Sequence, residues 1–135
     1  MNQEAQAFWE RALSALATAR RNVTEDPDAA ASRAYYGAFY AVSAWFAGQE
    51  RYFTKHSAVL SAVHKDLVHP GTWPEEIGVD YNFLVRTRNK GDYGRLARVD
   101  LEEALASLAA AVRIIEAVHK LAPEDFPLLP DWSQA

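Results

Sequence analysis

A chain of 135 residues, half of them hydrophobic and 24% charged, has the composition of one globular domain with a single core, and is neither disordered nor fibrous. It contains no cysteine, which removes disulfides, thiolate metal sites and cysteine nucleophiles together and points to a reducing, cytoplasmic setting. The formal net charge of -4 excludes a uniformly basic nucleic-acid binder, and no apolar run approaches the ~20 residues of a membrane span.

From Asn2 to about Val23, Ala5, Phe8, Trp9, Ala12, Leu13, Leu16 and Val23 recur at helical spacing and predict a first amphipathic helix. The Gln, Glu and Arg residues among its first twenty positions break any signal-peptide pattern. Asp26 then offers a cap and Pro27 suits the first position of the next helix, because its missing N–H would have no partner there. That second helix is predicted to end at Gly48, and its stretch Ser32 to Phe46 is apolar on nearly every side. Tyr36, Phe39, Tyr40 and Ser43 lie on one side and Tyr35, Ala38, Val42 and Trp45 on another, which puts this helix in the middle of the fold. Arg33 is in line with Tyr36 and Tyr40, and a guanidinium in that position calls for a polar partner.

Val59, Leu60, Val63 and Leu67 predict a shorter helix from Lys55 to about Val68, broken by His69-Pro70-Gly71. Thr72-Trp73-Pro74-Glu75 has the form of a capping box, so a fourth helix should begin near Pro74. Its inward stripe of Ile77, Tyr81, Leu84 and Val85 runs into Arg88, with Asp92 one turn further on. From Arg86 to Arg98 five cations face one acid, a local charge of +4. Asp100 and Glu103 form another capping pattern before a fifth helix to about Leu121, whose buried side is read as Leu101, Leu105, Leu108, Val112 and Ile115. The remainder is rich in proline and acids and carries Phe126, Leu128, Leu129 and Trp132, a tail for packing or for a partner. The fold class is therefore all-α: an up-and-down bundle of about five helices over residues 1–122 and a C-terminal tail over 123–135.

Two constellations could carry chemistry. Arg33 and Arg88 would repel unless Asp92 or an anion lies between them, so the cluster is either an internal Arg88–Asp92 pair that fixes helix packing or a phosphate site. Spacing alone leaves both open. Lys55 and His56 open the third helix, as a capped surface turn or as part of an anion site. His64, His69 and His119 are scattered without carboxylates at ligand spacing, so no metal is implied. No glycine-rich phosphate loop or nucleophile elbow is present, and no cofactor is implied.

Ser32-Arg33-Ala34-Tyr35-Tyr36-Gly37-Ala38-Phe39, Lys55-His56-Ser57 and Arg88-Asn89-Lys90-Gly91-Asp92-Tyr93, in that order, resemble the signatures of the HEPN superfamily, and specifically its small prokaryotic branch with an SRAYYAxF helix, a THS turn and an RxxADY helix end. The resemblance implies a helical bundle that forms homodimers, often encoded beside a nucleotidyltransferase-type antitoxin in toxin–antitoxin or defence modules, and that binds RNA or a nucleotide at the dimer cleft. On the reading favoured here, Arg88 holds phosphate with Arg33, Asp92 orients Arg88, and Tyr36, Lys55 and His56 line the site. Active members are metal-independent ribonucleases in which a His follows the Arg by four to six residues; here Tyr93 closes the four-residue spacing and no His stands at the longer ones. Arg88 and Tyr93 are thus the candidate catalytic pair. An unperturbed tyrosine, with a pKa of ~10, is a poor base near neutrality, so binding survives this exchange better than strand cleavage does. The competing class is a non-catalytic interaction protein whose Arg88–Asp92 pair only fixes packing.

Overall fold

The structure, a computed structural model, describes residues 2–134. Five α-helices follow in order: α1 Gln3–Asn22, α2 Pro27–Ala47, α3 His56–Ala62, α4 Glu75–Tyr93 and α5 Leu101–Leu121. Among the described residues there is no strand. Local chemistry sets the helix starts. The Asn2 side chain accepts the Ala5 N–H at 2.7 Å, Asp26 accepts that of Ala29 with Pro27 following it, and Asp100 and Glu103 form a reciprocal capping box.

Two elements depart from their sequence pattern. The helix expected from Lys55 to Val68 changes type after Ala62 and continues as a π turn over Val63–Val68, where the His69 N–H bonds to His64 O five residues back at 2.8 Å. The capping box at Thr72 does not form. Pro74 takes the cap position of α4 without a side-chain bond, and the Trp73 N–H is drawn back to Leu67 O at 2.9 Å, which ties this loop to the π turn.

Helix α2 is central and contacts all four other helices directly or at its ends. The Asn2 amide donates to Ala47 O, so α1 starts where α2 finishes; Arg88 and Asp92 meet Tyr36 and Ser32, so α4 is also antiparallel to α2. Arg113 clasps Asp80 through two nitrogens and Lys90 bonds Glu103, which makes α5 antiparallel to α4 and parallel to α2. The result is an up-down-up-down bundle with α3 and the π turn as an insertion between α2 and α4.

Small residues on α2, namely Ala30, Ala31, Ala34, Gly37, Ala38 and Ala41, are all buried and permit close approach from both sides. They also explain why the buried side of α5 differs from the expected leucine stripe. Ala104, Ser107, Ala111, Ile114, Ile115 and Val118 face the core, while Leu101 and Leu105 lie on the flank and are about half exposed. A Cβ at Gly37 would stand 3.4 Å from Ala12 O and 3.7 Å from Ile115 Cδ1. One methyl group just fits. Gly37→Ala is therefore expected to remain within about 1 kcal/mol of the parent, because better helix propensity offsets slight crowding. Gly37→Leu should lose about 1–3 kcal/mol by forcing the helices apart, and urea denaturation of both variants checks the difference.

After α5 the chain folds back. Phe126 is 2% exposed and its ring lies 5.2 Å from that of Trp9. Trp9 Nε1 donates to Pro127 O at 3.0 Å, and His119 Nδ1 donates to Phe126 O at 2.6 Å. Leu129, by contrast, is 78% exposed, just before a short 3-10 turn, Trp132–Gln134.

Candidate functional site

Positions 88, 92 and 93 fall on neighbouring turns at the end of α4, and positions 32, 33, 35 and 36 on the first half of α2, so antiparallel packing brings the two groups together. Arg88 is the hub. Its guanidinium carbon lies 5.3 Å from the Tyr35 ring centre, 5.5 Å from that of Tyr36 and 5.2 Å from that of Tyr93. Three ring faces thus hold one cation. One terminal nitrogen donates to the Tyr36 hydroxyl at 3.1 Å and the other makes a long contact of 3.4 Å with Asn89 Oδ1. Arg88 Nε stands 2.9 Å from Asp92 Oδ2, yet its buried N–H is not aligned with that oxygen. The contact is a charge pair without a formed hydrogen bond. Of five N–H donors, one on each terminal nitrogen remains without an acceptor among the described residues.

On the α3 side of Arg88 lies a cleft of about 210 Å³. Tyr35, Leu60 and Val85 supply its apolar lining, and His56, Ser57, Arg88 and Asn89 its polar groups. The His56 ring packs 4.5 Å from Phe39, and its Nδ1 is 3.1 Å from the Tyr35 hydroxyl. Burial pushes the Tyr35 hydroxyl up to about 12, so it keeps its proton. Behind it the wholly buried Tyr81 hydroxyl influences that ionisation but forms no aligned hydrogen bond. The Tyr35 hydroxyl can therefore donate to His56 Nδ1, an arrangement in which the neutral imidazole carries its proton on Nε2.

Burial lowers the His56 pKa below its ordinary value, and the Arg88 charge lowers it further. Since the unfolded chain binds this proton more readily, the associated stability is complete above pH ~6.5 and is lost as pH falls from there through the folded-state value. An NMR titration should place the His56 midpoint below ~6.5 and move it upward in Arg88→Ala. A midpoint that ignores the Arg88 substitution would show that the two side chains do not share the cleft.

The predicted residues are not all gathered in one place. Arg88, Asp92, Tyr93 and Tyr36 meet directly, and His56 joins them through Tyr35. Arg33 forms no ion pair with Asp92 among the described residues, but it and Arg88 flank the same Tyr36 ring. The Arg33 guanidinium carbon lies 4.7 Å from the Tyr36 ring centre, a ring face in place of the polar partner expected from the sequence. Lys55 is exposed, and its side chain makes no hydrogen bond or ion pair among the described residues. Half of the local +4, which already sets Asp92 against Arg88, is compensated from outside the segment, Lys90 pairing with Glu103 at 2.9 Å and Arg98 with Asp28 at 3.4 Å. Among the described residues, Arg86 and Arg95 are the cations of this segment without an acidic partner. Tyr35, Ser57 and Asn89, which stand within the three signatures without being singled out as site residues, also line the cleft. Among the described residues no group of three His, Asp or Glu could hold a metal ion, and no helix is long and apolar enough to cross a membrane.

In comparison with known proteins, a model of the HEPN domain aligns with residues 5–121. The chain belongs to the HEPN family. A UPF0332 protein of Thermotoga maritima is 36% identical to it over 92 residues, 68% of this chain and 70% of that one. HEPN domains commonly dimerise and are often linked to RNA binding, nuclease activity and toxin–antitoxin systems. In this HEPN domain Tyr93 is 68% exposed and covers one face of Arg88, while the imidazole nearest Arg88 comes from α3 and not from the end of α4.

Proposed function

We propose that this HEPN protein binds RNA or a nucleotide through a phosphate group held by Arg88, next to a dimer interface formed by the aromatic side of α2. The observation that carries this is the unspent capacity of Arg88: a cation held by three tyrosine rings, with one free N–H on each terminal nitrogen beside an open cleft. Tyr36, Phe39 and Tyr40, backed by Phe8, are half-buried and continuous with this cluster, which suits them to cover by a second copy. A nucleotidyltransferase-type antitoxin is the proposed partner of the pair.

The proposal is one of binding and not of strand cleavage. Tyr93 makes no hydrogen bond among the described residues, and no base backs its hydroxyl, so its role is to cap the guanidinium and offer a ring to a base. The Arg88–Asp92 contact favours a second reading, in which the pair only fixes α4 and the protein is a non-catalytic interaction module. Binding of short RNA and of nucleotides across a salt series separates the two. Steep salt dependence that vanishes in Arg88→Ala, in a protein that light scattering finds dimeric, supports the phosphate site. Absence of binding in the parent leaves the packing role alone.

A further inference from the structure

We propose that the ligand of the α3-side cleft is a phosphate monoester, a terminal phosphate and not the diester of a chain interior, gripped between the Arg88 guanidinium and the His56 imidazole. This rests on the phosphate-binding proposal above and narrows it.

The donors and the space both select for a chain end. Arg88 presents two N–H groups, the Tyr35 hydroxyl engages Nδ1 of His56 and leaves Nε2 for a ligand, and Ser57 and Asn89 line the same cleft. A monoester offers three oxygens to such a set and leaves by one ester bond. An internal diester offers two and must leave in both directions, from a cleft of about 210 Å³ with Leu60 and Val85 along its lining. Asp92 lies on the Nε side of the guanidinium and does not contend for the terminal nitrogens.

The groups facing His56 leave its charge to the ligand. From α2 come the Tyr35 hydroxyl, the Tyr36 ring 5.6 Å away and the Phe39 ring; from α4 comes the Arg88 cation; on its own element Lys55 and Ser57 flank it. No carboxylate of the described residues pairs with it, and Arg88 disfavours its protonation. A bound dianion reverses that balance. Binding should take up a proton on His56, so affinity falls as pH rises.

The test uses fluorescent single-stranded RNAs of one sequence ending in a 5′-phosphate, a 3′-phosphate or hydroxyls alone, with a nucleoside monophosphate as competitor. These are bound to the parent, His56→Gln and Arg88→Ala at about pH 6 and about pH 8. Binding of one phosphorylated end about tenfold or more tighter than the hydroxyl RNA at the lower pH is expected. That advantage should shrink at the higher pH and disappear in His56→Gln, and the His56 NMR midpoint should rise on adding the monophosphate. The favoured arm identifies whether the 5′ end, the 3′ end or the free nucleotide is the source. Equal binding of phosphorylated and hydroxyl RNAs, still weakened by Arg88→Ala, overturns the monoester while the phosphate site stands. Failure of every RNA and nucleotide to bind overturns both.

Discussion

Arg88→Ala is expected to weaken RNA or nucleotide binding by about ten- to a hundredfold, the loss that corresponds to charge-assisted hydrogen bonds of about 1.5–3 kcal/mol. The fold should survive. Asp92 retains the Ser32 hydroxyl at 3.4 Å and partial solvent access, so its charge is not stranded in a dry interior. Removing the guanidinium should cost about 1 kcal/mol of stability, or about 3–4 °C in Tm for a domain of this size. Arg88→Lys sharpens the comparison. It keeps the charge but loses the planar fork that lies among Tyr35, Tyr36 and Tyr93 and reaches Asp92 and the cleft together, so most of the binding loss should remain. Anisotropy titrations at two salt concentrations, beside thermal melts, read both quantities. Unaltered binding by the alanine variant would remove Arg88 from the site.

Phe126→Ala should have the largest effect on stability, about 3–5 kcal/mol, the range for deleting a fully buried phenylalanine. The ring is packed against Trp9, and the carbonyls on either side of the next peptide link receive hydrogen bonds from His119 and Trp9. The tail would then be a structural part of the bundle although the family model stops at residue 121. Urea denaturation of Phe126→Ala, with a chain ending at Ala122 as companion, decides this. A midpoint equal to the parent's would make the segment an accessory. Leu129→Ala, changing an exposed side chain of the same segment, should leave the midpoint in place.

The helices were legible because their signals are local. Asp26-Pro27 and Asp100 with Glu103 carry their capping chemistry within four residues, and the central place of α2 follows from apolar residues on two sides. The register of α5 was not legible in that way. Leucines at 101, 105 and 108 outweigh Ala104 and Ser107 in any count of hydrophobicity, but the alanine-lined side of α2 accepts small partners more closely than large ones. The π turn has no sequence mark of its own, and the contact made from it to α4, His64 to Asn82 at 2.8 Å, joins residues far apart in the chain.

Of the site, the Arg88–Asp92 contact was readable from i, i+4 spacing and the HEPN likeness from three short signatures. The partners of the individual cations were not. Arg33 against the Tyr36 ring, Lys90 with Glu103 and Arg98 with Asp28 are pairings between separate elements, set by how helices stack and not by distance along the chain. The position of His56 under Tyr35 is likewise a product of the α3 insertion.

The widened turn at Val63–Val68 makes that insertion tolerant in one particular direction. Its i to i+5 bonding stores one residue beyond what an α-helix of the same rise would hold. Evolutionary loss of a single codon there could be absorbed by reversion to ordinary α winding, at the expense of rotating His64 away from Asn82 and reopening the space over Gly78, where His64 and Val68 would stand 3.0 Å from an added methyl. The same excision inside α4 would swing Arg88 by about 100° and dismantle the tyrosine cage, so length variation among related chains should collect before Gly71 and avoid the stretch from Tyr81 to Tyr93.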